Sequence, residues 1–293
     1  MSSGAQRLSG HVAYRRRRIK GRWRSFVVGG HHVADAVWIS SWQRSGSTWL
    51  AEMLSTPKRT RLVYEPANLP DRCFDGAEAA LIAPPLISIP HTRSILRGIE
   101  GQVSHWWTDQ FNESHFPQRV VAKDVRGLGL AGNIADELPE TPIIILARNP
   151  VAVAKSVIRV GWFDPAVGAH DAFLAEVKRW CDYHERALRD ERLQRALWVS
   201  YEDLVASPAS ELNRIKTYLL NFSKTWKEFN INAIDFTRRS ATDFAEVTGE
   251  SPSDEWLMDA AEIVSRSAFH ACYTSSHPHP MTLSALVDSL RVQ

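Results

Sequence analysis

Five short apolar runs, each continuous rather than alternating, constrain this 293-residue chain more than any other feature. They are AVWIS (36–40), RLVY (61–64), RVVAK (119–123), PIIILA (142–147) and LWVSY (197–201). A strand with one face in water alternates apolar and polar side chains, so unbroken runs rich in Val and Ile predict strands buried on both faces, as in a parallel sheet. Helical patterns lie between them. The longest, from Gly168 to Asp190, sets Phe173, Leu174, Val177, Trp180, Cys181, His184 and Leu188 at helix-face spacing. Another starts at Ser207-Pro208, a cap residue with proline at the first helical position, and reaches about Phe222. This order predicts an α/β fold, a central parallel sheet flanked by helices and joined by right-handed crossovers. Such sheets hold ligands at the carboxyl ends of their strands, which directs attention to the residues just past each run.

After the first run comes WQRSGSTWL (42–50), leading into the helical stretch TWLAEML. Backbone N–H groups at a glycine turn and a helix N-terminus make an anion site, Gly46 lets the chain approach a phosphate, and Ser45, Ser47 and Thr48 add hydroxyls. Aligned on Gly46 with the pattern GxxxxGK[ST], the chain has Ser41 in place of the first glycine and Ser47 in place of the lysine. Without the lysine that reaches the β- and γ-phosphates, an ATP or GTP hydrolase is not expected. A plain capped helix start is the alternative reading of the loop alone.

Composition narrows the class further. A net charge of +2 does not announce a nucleic-acid binder. The average conceals a basic arm, with Arg15, Arg16, Arg17, Arg18, Lys20, Arg22 and Arg24 in ten residues and no acidic one; it reads either as a solvated tail or as a contact for an anionic surface. No apolar run approaches the roughly 18 residues needed to span a bilayer, and the stretch after the arm, SFVVGGHHVADAV, is too broken for a secretory leader. Cys73, Cys181 and Cys272 are odd in number and far apart, without metal-ligand spacing. The expectation is a soluble cytoplasmic protein with no metal, a basic arm over 1–33 and a single domain over 34–293.

RSGSTWL resembles the 5′-phosphosulfate loop of the sulfotransferases that use 3′-phosphoadenylyl sulfate (PAPS): a basic residue, Ser-Gly, two hydroxyl residues and an aromatic. The resemblance implies that Arg44, Ser45, Gly46, Ser47 and Thr48 hold the 5′-phosphosulfate, and that Trp49 lies against the adenine; packing of Trp49 in the core is the alternative. RNPVAVAKSV, after the fourth run, resembles that family's 3′-phosphate element, with Arg148 at a strand end and Ser156 eight residues on. A guanidinium clamps phosphate oxygens through two donors, and a helix hydroxyl adds a third. WVSYEDL (198–204) resembles a third element of the family, in which the tyrosine, here Tyr201, lies near the nucleotide, while Glu202 and Asp203 read as helix caps. The expected fold is therefore the P-loop NTPase-like sulfotransferase fold, with PAPS as co-substrate and adenosine 3′,5′-bisphosphate as product.

Sulfuryl transfer needs a base for the acceptor proton and cations near the bridging oxygen, by analogy with phosphoryl transfer. Glu65 ends the second run in LVYEPAN, which resembles the strand-Glu-Pro segment of carbohydrate sulfotransferases, whose glutamate takes the acceptor proton. To do so well it needs a pKa raised toward about 6 to 7. In the cytosolic small-molecule branch the base is a histidine just past a lysine on the next strand. RVVAKDVR keeps Lys123 but has Asp124 or Val125 there, which favours Glu65 and leaves Asp124 as second choice. Lys123 and Arg44 are the expected charge-neutralising groups, and Arg126 either holds an acceptor or pairs with Asp124. Residues 66–118 read as a substrate wall, with Trp106 and Trp107 either stacking on an acceptor ring or packing a lid, and His91, His105 and His115 without metal spacing. GWFDPAVG (161–168) is a second candidate wall, and SPSDEWLMDAAEIVSR a closing helix. The expected reaction transfers sulfuryl from PAPS to a hydroxyl or amine of a carbohydrate or other small-molecule acceptor. The alternatives are an ATP-dependent kinase or transferase and an inactive nucleotide-binding protein of the same fold.

Overall fold

A computed structural model describes residues 35–55, 60–66, 108–111, 119–125, 128–236, 251–273 and 282–291. The basic arm, Cys73, His91, His105, Trp106, Trp107, His115, Arg126 and most of the 66–118 segment lie outside the described residues.

The five apolar runs form one five-stranded sheet: β1 (Asp35–Ser41), β2 (Thr60–Tyr64), β3 (Arg119–Asp124), β4 (Ile143–Ala147) and β5 (Leu197–Ser200). Their spatial order is β2-β3-β1-β4-β5 and every pairing is parallel. All residues of β2, β3 and β4 are buried, which is why their sequences do not alternate. One face, carrying Val37, Ile39, Leu62, Val121, Ile144 and Leu146, packs against α1 (Ser47–Leu54) and, further along the chain, the helix Pro208–Leu220. The other face, through Trp38, Val63, Val120, Ala122, Ile145 and Trp198, meets α2 (Leu128–Glu137), α3 (Pro150–Arg159), α4 (Ala169–Arg189) and two helices near the C-terminus, Asp254–Ser265 and Leu283–Arg291. The result is three layers with the sheet in the middle.

The long helical pattern expected from Gly168 to Asp190 is α4, offset by one residue at each end. Tyr201 does not extend the fifth strand but opens a short helix, Tyr201–Ala206. One capping expectation holds and one is corrected. As expected, Ser207 occupies the N-cap of Pro208–Leu220 with Pro208 in its first turn, though the Ser207 side chain makes no cap bond. Ser200, not Glu202 or Asp203, caps Tyr201–Ala206 by accepting from the Asp203 N–H; Glu202 instead accepts from the backbone N–H of Asn149 at 2.8 Å.

Position in the sheet decides where a ligand can sit. The helix after β1 lies on one face and the helix after β4 on the other, so the chain diverges between two adjacent strand ends. That divergence opens a crevice at the carboxyl edge, between the loop after Ser41 and the loop after Ala147.

Candidate active site

The loop from Trp42 to Gly46 turns through two residues of left-handed backbone, Arg44 at φ 61° and Gly46 at φ 86°. Gly46 is the N-cap of α1, and a Cβ there would stand 2.4 Å from Cε2 of Tyr201. Only a glycine allows this turn against that ring. Arg44 has no such freedom, and a non-glycine residue stays at positive φ only where its surroundings hold it. Two sets of contacts do so.

From below, Glu176 of α4 projects into the loop. It is 2% exposed, and its Oε1 accepts from Trp42 Nε1 and from Gln43 Nε2, each at 2.7 Å. Trp42 also lies against the Tyr183 ring, 4.7 Å away. From the side, Arg148 Nη1 donates to the Arg44 carbonyl at 2.9 Å while Arg44 Nε donates to Ser156 Oγ at 2.9 Å. The Trp42–Gly46 loop and the Arg148–Ser156 element, 112 residues apart between Arg44 and Ser156, thereby form one cluster. Asn149 caps α3 by accepting from the N–H groups of Val151 and Ala152.

The cluster is cationic. Burial, and then the charges of Arg159 and Arg148, lower the Arg44 pKa from its usual value. Arg148 stacks over the Tyr201 ring at 4.6 Å, Trp49 meets the same ring edge-on at 6.2 Å, and Arg44 faces the Trp162 ring at 5.3 Å. Trp162 is 48% exposed, on the loop expected to form a wall. Ser45 Oγ is fully buried without a hydrogen-bond partner among the described residues, as are the hydroxyls of Ser40 and Ser41 at the end of β1. Ser47 is buried in the first turn of α1. A helix N-terminus, an orphaned hydroxyl and guanidinium groups at one strand edge are the chemistry of an anion site.

A second group lies at the adjoining strand ends. The β2–β3 register sets Tyr64 opposite Lys123, and the next N–H, of Glu65, donates to the Lys123 carbonyl at 2.7 Å. Glu65 turns at φ 41°, and its Oε1 accepts from Lys123 Nζ at 2.5 Å with both side chains buried. Burial, the largest single influence, lowers the Lys123 pKa, but Glu65, Tyr64 and Asp124 together outweigh it; the net direction is upward and the ammonium stays charged. Lys123 Nζ also stands 4.3 Å over the Tyr64 ring. Asp124, also buried, comes directly after Lys123 on the strand, and alternation turns its side chain to the opposite face.

The residues singled out from sequence thus fall into two neighbouring sets. Arg44, Ser156, Arg148, Tyr201 and Trp49 are together; Glu65 and Lys123 are together; Arg44 is engaged with the first set. Sequence reasoning missed Glu176, Tyr64, Arg159 and the Trp162–Arg44 contact. Glu176 did carry a signal, since a carboxylate between Phe173 and Trp180 on an otherwise apolar helix face is a buried charge in search of donors. Among the described residues no group of three or more His, Cys, Asp or Glu side chains could hold a metal ion, and no helix is long and apolar enough to cross a membrane.

A parallel α/β sheet with a hydroxyl-rich, lysine-free phosphate loop and an arginine–serine pair at the neighbouring strand end is the layout of a P-loop-like group-transfer enzyme. A family model described as the Sulfotransferase family matches residues 36–220, more than half the chain. The chain belongs to that family, and the protein is a sulfotransferase. Among solved structures it is similar to a sulfotransferase from Alicyclobacillus acidocaldarius, at 14% identity and TM-score 0.45, covering 87% of this chain and 99% of that one. It is also similar to the sulfotransferase domain from the curacin biosynthetic pathway, at 18% identity and TM-score 0.40, covering 90% and 98%. A third likeness is to mouse sulfotransferase SULT7A1 complexed with PAP, at 13% identity and TM-score 0.38, covering 84% and 69%. No curated protein sequence matches the chain.

Proposed function

We propose that this sulfotransferase takes its sulfuryl group from PAPS and transfers it to a hydroxyl or amine of a carbohydrate or other small-molecule acceptor, releasing adenosine 3′,5′-bisphosphate. The observation that carries the reading is the joining of Arg44 to Ser156 and of Arg148 to the Arg44 carbonyl. It sets cations and hydroxyls suited to two separate phosphates on one crevice. An ATP site needs one triphosphate cradle with a lysine, and Ser47 stands in that lysine's position.

PAPS, when bound, supplies a sulfuryl group on a phosphate leaving group. Arg148 and Ser156 would hold the 3′-phosphate, and the Tyr201 and Trp49 rings would flank the nucleoside. The Ser45 hydroxyl and the N-terminus of α1, with Arg44, Ser47 and Thr48, would hold the 5′ end. Glu65 would receive the acceptor proton on its carboxylate, and Lys123 would place positive charge where negative charge develops. In this reading residues 34–293 act as one catalytic domain. Its thiols at Cys181 and Cys272, free and pushed up to about 11 by burial, suit a reducing cytoplasmic setting.

Calorimetry tests the reading directly. Adenosine 3′,5′-bisphosphate is expected to bind the wild-type chain, and Arg148→Ala to weaken it at least tenfold, while ATP with Mg²⁺ binds poorly. Preference for ATP would overturn the proposal, as would the absence of label transfer from radioactive PAPS to any acceptor in an extract screen.

A further inference from the structure

Glu202 has no role in the PAPS reading, yet its carboxylate is tied to the residue next to Arg148. The register of β4 and β5 runs from Ile144 opposite Leu197 to Ala147 opposite Ser200 and ends there. Counted one and two steps further, it sets Arg148 opposite Tyr201 and Asn149 opposite Glu202. The backbone of β5 does not continue the ladder at these steps, because Tyr201 opens the helix Tyr201–Ala206 and its carbonyl turns toward that helix's own N–H groups. A side chain takes over. Glu202 Oε1 accepts from the Asn149 N–H at 2.8 Å, and Oε2 accepts from Ser200 Oγ at 3.2 Å. Ser200 Oγ in turn accepts from the Asp203 N–H at 3.2 Å, which fixes the first turn from which Glu202 projects.

The start of α3 leaves one donor for this bond. Pro150 has no N–H, the Val151 and Ala152 N–H groups donate to Asn149 Oδ1, and the Val153 N–H donates to the Asn149 carbonyl at 3.0 Å. With Glu202 on the Asn149 N–H, each N–H at this helix start is engaged within the protein. A phosphate beside Arg148 therefore finds side-chain donors rather than helix amides, and the direction of Arg148 decides the contact. That guanidinium is held at two points, over the Tyr201 ring at 4.6 Å and on the Arg44 carbonyl at 2.9 Å. Both contacts need the Arg148–Asn149 peptide to stay beside Tyr201, and the Glu202 bond ties it there.

We propose that Glu202 is a positioning residue, whose carboxylate supplies the missing rung past Ala147 and Ser200 and thereby aims Arg148 at the 3′-phosphate of the donor nucleotide. It touches no ligand itself. It acts through the main chain of Asn149, keeping Arg148 and Tyr201 together as one clamp. Glu202 is exposed, so water competes for the bond and its loss has a graded rather than a complete effect. The proposal rests on the PAPS reading, since it needs a 3′-phosphate at Arg148.

Calorimetry with two probes, adenosine 3′,5′-bisphosphate and adenosine 5′-monophosphate, reads the proposal as a preference for the 3′-phosphate. Wild type is expected to prefer the bisphosphate. In Glu202→Ala the bisphosphate should bind about three- to tenfold more weakly, the scale of one net hydrogen bond, while binding of the monophosphate is unchanged. In Glu202→Gln the amide oxygen can still accept from Asn149, and the preference should return. Glu202→Asp, which withdraws the carboxylate by one methylene at unchanged charge, is expected to behave as Glu202→Ala and gives the same reading should the alanine variant fail to fold. In an Arg148→Ala background, Glu202→Ala should change neither affinity. A merely structural carboxylate would weaken both probes together or neither, lowering Tm without moving their ratio. A wild-type ratio in Glu202→Ala, equal damage by Glu202→Gln, or a full effect of Glu202→Ala without Arg148 overturns the proposal and leaves the PAPS reading intact; absence of any preference in the wild-type chain removes both.

Discussion

Removing the Glu176 carboxylate should loosen the Trp42–Gly46 loop before it unfolds the protein. In Glu176→Ala, Trp42 Nε1 and Gln43 Nε2 each lose an acceptor at 2.7 Å. A donor stranded in a buried site costs about 1–3 kcal/mol; both donors are half-buried, which favours the lower end, and relief of the buried carboxylate's own desolvation offsets part of it. The net loss is then about 1–3 kcal/mol, or a fall in Tm on the order of 3–10 °C for a chain of this size. The effect on binding should be larger in proportion. Left-handed backbone at Arg44 costs about 1–2 kcal/mol, and with its preceding residues untethered the loop can relax out of it, withdrawing the Arg44 side chain from Ser156. Affinity for adenosine 3′,5′-bisphosphate should fall by about 10- to 100-fold, the range of one or two charge-assisted contacts.

Glu176→Gln separates geometry from charge. The amide oxygen can still accept from both donors, so the loop should stay in place, with a loss of about 1 kcal/mol from weaker, neutral hydrogen bonds. Thermal unfolding and calorimetry on wild type and the two variants give the six values required. Binding by Glu176→Ala as tight as wild type would falsify the idea that this carboxylate sets the loop. If Glu176→Gln is as damaged as Glu176→Ala, the negative charge beside the arginines matters and the tethering does not.

Other contacts lead to three further expected outcomes. Gly46→Ala places a methyl carbon 2.4 Å from Tyr201 at φ 86°; backbone strain and overpacking together should cost about 2–4 kcal/mol and weaken nucleotide binding, and an unchanged Tm would show that the Tyr201 ring can yield. Glu65→Gln should lower turnover by about 10²- to 10⁴-fold with nucleotide binding retained; it also leaves Lys123 buried without its counter-charge, so a drop in stability of about 3–5 kcal/mol should accompany it, and near-wild-type turnover would move the base to Asp124. His184 is buried as the neutral imidazole, with its pKa pushed down to about 3 from 6.5 by desolvation. The unfolded chain takes up its proton first on acidification, so the stability this group contributes is complete above pH 6.5 and is lost as pH falls toward 3, about 2 kcal/mol of it between pH 7 and pH 5. His184→Phe, stacked on Trp180 in its place, should flatten that slope in denaturant titrations; equal slopes would refute the assignment.

Local pattern and distant pairing divide what the sequence reveals from what it hides. β2, β3 and β4 were legible because burial on both faces forces unbroken apolar runs. The Arg44–Thr48 turn and the Arg148–Ser156 pair were legible as candidate elements because the residues of each lie within one turn or one helix of each other. Glu176 and its donors are more than 130 residues apart, and no local spacing links them. The same limit explains the second set. Glu65 and Lys123 were each recognisable as strand-end residues, but their pairing depends on β2 lying directly beside β3 in a register that sets Tyr64 against Lys123. That pairing changes what each can do. The ammonium that would stabilise the leaving group is the same one that holds the base, so a proton arriving on Glu65 would remove the counter-charge of Lys123 at the moment negative charge develops nearby. In the proposed reaction base and cation would therefore act as one device, and Lys123→Met should impair proton removal as well as charge stabilisation.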